Sequence, residues 1–161
     1  MAILDNIRNV MNKVIRIVCI LLFAFMVIIG TYQILVRYIF NSPSTVSEEL
    51  LTYSFTWLSL FAAAYVFGKR EHMRMGFLAD KLNKKKLTIL NAIIEIIIIA
   101  FALIVMVYGG VSITSLSMTQ KTASLGIPMG YIYIVIPITG VVIALYGVLN
   151  VVGLIRKGEN V

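Results

Sequence analysis

The stretch SEELLTYSFTWLSLFAAAYVFG, residues 47–68, opens on two adjacent carboxylates, Glu48 and Glu49, and then runs for nineteen residues, 50–68, without a charge. That run is close to the ~20 apolar residues with which a helix crosses a bilayer. The rest of the chain repeats it, with charge-free runs at 17–36, 96–120 and 122–155. Of the 161 residues 60% are apolar and 13% charged, against roughly 45–50% and about 25% in soluble domains. The start of the last run, TASLGIPMG, is rich in turn formers, so the fourth helix is expected from Tyr131 to Ile155. Lipid offers no partner for backbone groups, and the runs lack the ~10-residue alternation of barrel strands, so the spans are expected to be helices. The reading is an all-α membrane protein, a four-helix bundle and single membrane domain over 1–161, with helices near 14–37, 47–68, 87–118 and 131–155.

Orientation follows from the basic residues. Twelve of the fourteen Lys and Arg fall before the first span, between the second and third, and after the fourth; only Arg37 and Lys121 fall in the other two connections. The positive-inside rule then puts both termini and the central loop in the cytoplasm (N-in/C-in) and the loops around Asn41 and Gly126 outside. Topology and membrane phospholipid account for the net charge of +7, and nucleic acid is not needed to explain it. The first apolar run is about twice the length of a signal h-region and no small-x-small site follows, so it is expected to be retained. Before it, Ile3, Leu4, Ile7, Val10, Met11 and Val14 recur at helical spacing opposite Asp5, Arg8, Asn9, Asn12 and Lys13, the pattern of an amphipathic interfacial segment. The central loop repeats it with Met75, Leu78 and Leu82 against Arg74, Lys81 and Lys85; a solvated basic loop is the alternative.

Residues with catalytic chemistry are scarce. There is one Cys, Cys19, in the first span and one His, His72, in the basic loop. One chain therefore cannot form a disulfide or a metal cage, a haem anchor lacks axial His ligands within the helices, and there is no Gly-rich phosphate loop. No enzyme activity and no cofactor are expected, and His72 reads as a surface residue. The acidic residue deep in an apolar run is Glu95, nine residues past Lys86, about 13 Å along a helix. Three roles are open to it: pairing with Lys13, Arg16 or Lys69, contact with a partner subunit, or ion coupling. Thr45, Val46, Ser47 and Glu48 match a T-x-x-E capping box, and a carboxylate there complements the helix dipole. Glu49 is left over; it either pairs with Arg37 or meets an extracytoplasmic protein. Gly140, Ala144 and Gly147 share one side of the fourth helix, and Thr52, Thr56, Ser59 and Ala63 form a small, polar stripe on the second. Both are expected in the chain's own core, with a partner subunit as the alternative user.

Two blocks carry a family resemblance. Residues 33–75, QILVRYIFNSPSTVSEELLTYSFTWLSLFAAAYVFGKREHMRM, resemble the Q-x-x-x-R-Y-x-F-N-x-P…E-E-L…W…H region of the small, DctQ-type membrane subunit of TRAP transporters. Residues 124–138, SLGIPMGYIYIVIPI, are similar to that family's small-Leu-x-Ile-Pro-x-x-x-x-Tyr-x-x-x-Pro block before its last helix. The order of the blocks and the four helices extend the match over nearly the whole chain; it departs at Val46, where the family often has Trp, and at Gly76, where an Asp often follows the His. The resemblance implies a tripartite system: a periplasmic substrate-binding protein, a large membrane subunit with the sodium and substrate sites, and this small subunit bracing the scaffold. It implies sodium-coupled uptake of organic acids of the C4-dicarboxylate or sialic acid type, without ATP. Arg37, Glu48, Glu49, Trp57, Glu95 and Pro128 are the residues expected to make structural or partner contacts. The alternatives are a self-sufficient four-helix proton- or cation-coupled exporter using Glu95, and a tetraspan anchor with no transport role.

The expected topology is directly testable. With Cys19 replaced, a cysteine introduced by Ser42→Cys is expected to react with an impermeant thiol reagent from outside, and one introduced by Asn83→Cys is not; the reverse labelling pattern would overturn the orientation.

Overall fold

The computed structural model describes residues 2–69 and 84–158. The expected interfacial segment of the central loop, and His72 with it, lie outside the described residues. Every regular element within them is helical: α1 (Ala2–Tyr38), α2 (Thr45–Gly68), α3 (Lys84–Phe101), a π-helical stretch (Ala102–Gly109), α4 (Gly110–Leu116), a 3-10 turn (Ser117–Thr119), α5 (Gly130–Tyr133) and α6 (Val135–Gly158). These group into four spans long and apolar enough to cross a membrane: Leu4–Tyr38, Thr45–Gly68, Ile89–Thr119 and Gly130–Gly153.

The amphipathic stretch at the N-terminus is not a separate element. It forms the first turns of α1, which runs unbroken for 37 residues, about 55 Å at 1.5 Å per residue against a hydrocarbon core of about 30 Å. Its two sides are also mixed in the bundle. Val10 and Val14 are exposed while Met11 packs on the core, and Arg8 and Asn12 turn toward α6 while Asp5, Asn9 and Lys13 are exposed. Once a neighbouring helix supplies hydrogen-bond partners, Arg8 and Asn12 no longer need water.

Neighbouring spans form a row: α1 against α2, α2 against α6, and α6 against the third span, with α1 touching α6 only lightly. The fourth span is the hub, with 39% of its apolar window buried against 6–11% in the others. Ile15, Phe67 and Tyr146 form a buried cluster, with Phe61, Ile98 and Ile143 packed on it, so all four spans converge there. Elsewhere the apolar surface is open, as at Leu21 and Ile28 on α1 and Ile104 and Tyr108 on the third span. In lipid such exposure carries no hydrophobic penalty, and close backbone approach holds helices together instead.

That approach is built from small residues of α6, as expected for Gly140, Ala144 and Gly147. A Cβ on Gly140 would lie 2.7 Å from Met106 Cβ and 3.2 Å from the Ala102 carbonyl, and one on Gly147 would lie 2.5 Å from Ile99 Cγ1. On the other side of the contact, a Cβ on Gly110 would meet Pro137 Cδ at 2.9 Å. The second stripe is corrected: Thr52, Thr56, Ser59 and Ala63 face out of the bundle. Their hydroxyls make this compatible with lipid, because Thr52, Thr56 and Ser59 donate back to the carbonyls of Glu48, Thr52 and Phe55.

Glycines of similar sequence setting therefore differ in consequence. Gly140→Ala, driven into Met106 and the Ala102 carbonyl, is expected to cost about 1–3 kcal/mol. Gly30→Ala, whose Cβ would find Leu51 Cδ2 at an ordinary 3.9 Å, is expected to be neutral or to gain up to about 1 kcal/mol from reduced chain entropy. Denaturant unfolding in detergent micelles checks the pair.

Candidate functional site

The candidate site is the end of the molecule where α1 turns into α2 and where the 120–129 loop leads into the fourth span. α1 stops at Tyr38, and Asn41, at φ +51°, turns the chain. Asn is among the few side chains that tolerate this left-handed region. The N-cap of α2 is Ser44, whose side chain accepts from Ser47 N–H at 3.4 Å. The cap is therefore Ser44 and not the expected Thr45, because Ser44 sits in extended backbone directly before the first helical turn, and the expected box does not form. Glu48 stays in that first turn, where the helix dipole favours it.

The two glutamates diverge. Glu48 faces α1, with its Oε1 3.9 Å from Arg37 Nη1 and accepting from Gln33 Nε2 at 3.3 Å. Glu49 does not take the Arg37 partner expected for it. Its Oε1 accepts the Ser124 backbone N–H at 3.0 Å and its Oε2 the Leu125 N–H at 3.0 Å. Adjacent helix positions lie about 100° apart, so neighbouring carboxylates reach different neighbours.

The loop that Glu49 holds has its own framework. Thr122 N–H donates to Ile127 O at 2.9 Å, Met129 N–H donates to Gln120 O at 2.8 Å, and Lys121 and Pro128 form an isolated antiparallel bridge. Thr122 Oγ1 accepts from Ile127 N–H at 3.2 Å. Gly126, at φ +68°, closes the turn in a conformation that side chains disfavour. Pro128 lacks an N–H, so it enters the bridge without leaving a donor unused, and its carbonyl accepts from Tyr131 N–H at 3.2 Å as α5 begins.

Two more residues of α2 reach the same segment. Tyr53 Oη contacts Met129 Sδ at 3.8 Å, and Trp57 Nε1 donates to Ile132 O at 2.9 Å. Trp57 also packs edge-on to Phe61, with ring centroids 6.4 Å apart. Glu49, Tyr53 and Trp57 are spaced i, i+4, i+8 and so share one face of α2. That face continues to Gly68, where an added Cβ would collide with the Tyr146 ring.

At the opposite end of the bundle, Tyr146 Oη donates to Asn12 Oδ1 at 2.7 Å and Arg8 Nη2 donates to the fully buried Asn150 at 2.7 Å. The sequence reading missed these four. Their signal was available: polar side chains at Tyr146 and Asn150 inside an apolar span demand partners within the protein. Glu95 is half-buried against α6, its Oε2 3.9 Å from the place a Cβ on Gly147 would take. Lys69 Nζ lies 4.9 Å from the Tyr65 ring centroid. Among the described residues no group of three or more His, Cys, Asp or Glu could hold a metal ion.

Comparison with known proteins agrees with this architecture. Residues 26–157 match the family model of the DctQ component of tripartite ATP-independent periplasmic transporters. A Haemophilus influenzae protein described as a TRAP transporter small permease is 26% identical over 139 residues, covering 86% of each chain. The sialic acid TRAP transporter small permease protein SiaQ of Vibrio cholerae is 27% identical over 143 residues, 86% of this chain and 79% of its own length.

The contacts rank the residues. Trp57→Phe removes a partly buried hydrogen bond and is expected to cost about 0.5–1.5 kcal/mol. Glu48→Gln, disturbing an exposed pair with side chains 57% and 52% accessible, is expected to cost no more than about 1 kcal/mol. Parallel unfolding curves in detergent check the order.

Proposed function

Because the chain belongs to the DctQ component family of tripartite ATP-independent periplasmic transporters, whose members are transporter subunits and not enzymes, we propose that it braces the scaffold of a large membrane subunit during sodium-coupled uptake of organic acids. In this reading a periplasmic substrate-binding protein delivers the acid, of the C4-dicarboxylate or sialic acid type, and the large subunit carries the sodium and substrate sites. The chain lies in the bacterial inner membrane with both termini cytoplasmic, and the end bearing Asn41 and Gly126 faces the periplasm.

One observation carries the proposal beyond the family match: four polar side chains that reach inward join the chain's own elements. Glu49, Trp57, Asn12 and Arg8 each bridge two helices or a helix and the 120–129 loop. Such groups fix a scaffold, whereas a transport site needs polar groups turned toward a passage. The long apolar faces of α1 and the third span supply area for lipid and for a larger membrane partner. The sialic acid in the name of the Vibrio cholerae relative supports an anionic substrate class.

Reconstitution tests the reading. The chain alone in proteoliposomes is expected to take up no organic acid, and uptake is expected only with the large subunit, the binding protein and an inward sodium gradient. Uptake by this chain alone, abolished by Glu95→Gln, would instead establish a self-sufficient carrier.

A further inference from the structure

The reading above gives the chain a soluble partner at the Asn41/Gly126 end without saying what that partner meets. Glu49 is the obvious acidic candidate there, but both of its oxygens are taken up by backbone amides of the chain itself. We propose that Glu49 is a positioning residue: by holding the Ser124 and Leu125 amides it fixes the 120–129 loop as the rigid face on which the soluble substrate-binding protein seats. This inference rests on the proposed function.

Three observations lead to it. First, the loop is fixed far beyond what a connection needs. A loop at the membrane surface can give its amides to water, yet this one is held by a carboxylate, by its own Lys121–Pro128 bridge, and by Tyr53 and Trp57 at its exit. Fixing a backbone in advance removes the ordering entropy that association would otherwise cost. Second, the side chains turned outward from this frame, Lys121, Ala123 and Ile127, are exposed. They offer one cation beside small and medium apolar groups, a surface complementary to carboxylates with apolar neighbours on a folded protein. A fluid lipid surface would take the same side chains in any loop conformation and would gain nothing from a fixed one. Third, the face is continuous with a second exposed charge group. The start of α2 carries Glu49 on one side and, on the other, Glu48 with Arg37, so one helix end sets both parts of the rim.

The test uses the complete complex in proteoliposomes, with uptake followed against binding-protein concentration at low salt and with amide exchange of residues 120–129 measured on the same preparations. Glu49→Ala is expected to speed exchange of the loop and to raise the half-saturating binding-protein concentration roughly three- to tenfold, the scale of one ordinary hydrogen bond, while maximal rate changes much less. Glu49→Gln, which keeps one amide acceptor, is expected to fall between Glu49→Ala and the wild type in both measurements. Lys121→Glu is expected to raise half-saturation without loosening the loop. Faster exchange with unchanged half-saturation would overturn the proposal, because the loop would then not be the seat. Raised half-saturation with unchanged exchange would overturn it too, because Glu49 would then act directly on the partner. Failure of both Glu49 variants to co-purify with the large subunit would assign the clasp to assembly and reject the docking role. Wild-type uptake that ignores the binding protein would remove the premise itself, and the proposed function with it.

Discussion

A carboxylate, a phenol and an indole spaced four residues apart on one helix face cannot be left to hydrocarbon. Glu49, Tyr53 and Trp57 form such a stripe, and each finds its partner between Ser124 and Ile132. This satisfaction of polar groups fixes how α2 is rotated and which segment lies against it. The remaining arrangement follows. Once that face is turned to the fourth span, Gly68 meets Tyr146, and Thr52, Thr56 and Ser59 face outward with their hydroxyls returned to their own helix.

The fourth span holds the molecule together through its lack of side-chain bulk on one side. Gly140 and Gly147 admit Met106 and Ile99, and Gly110 admits Pro137 in return. Lipid tails compete with apolar side chains on equal terms, so close approach with few voids replaces the hydrophobic driving force of soluble proteins. The π-helical turns at Ala102–Gly109 lie directly at this contact, with Ala102 fully buried. The other end of the bundle relies on polar pairing, Tyr146 with Asn12 and Arg8 with Asn150, which anchors the first turns of a helix otherwise largely open to its surroundings.

The labour is divided among residue types. Polar chemistry joins helices, small residues set their spacing, and long apolar faces are left open on α1 and the third span. At the Asn41/Gly126 end the same chemistry yields a loop of defined shape with exposed Lys121 and Ile127, while Arg37 and Glu48 sit at the surface beside it.

The sequence by itself determined the class of the molecule, its four spans and its family, because charge-free runs of bilayer length and the motif residues at 33–75 and 124–138 are local in the chain. It also made the role of Gly140, Ala144 and Gly147 legible, since a small-residue stripe on an apolar helix has few uses. Only the tertiary structure decided which partner each polar residue takes. Thr45 looked like a cap by spacing, but backbone conformation gave the place to Ser44; Glu49 looked like the partner of Arg37, but helix rotation gave Arg37 to Glu48 and turned Glu49 to amides 75 residues away in sequence. Neither the 49–53–57 face nor the N-terminal Arg8 and Asn12 announced their contacts, because the side of a helix that meets its neighbours depends on rotation about its axis. That rotation is settled by all the packed and hydrogen-bonded residues together and is written in no single segment.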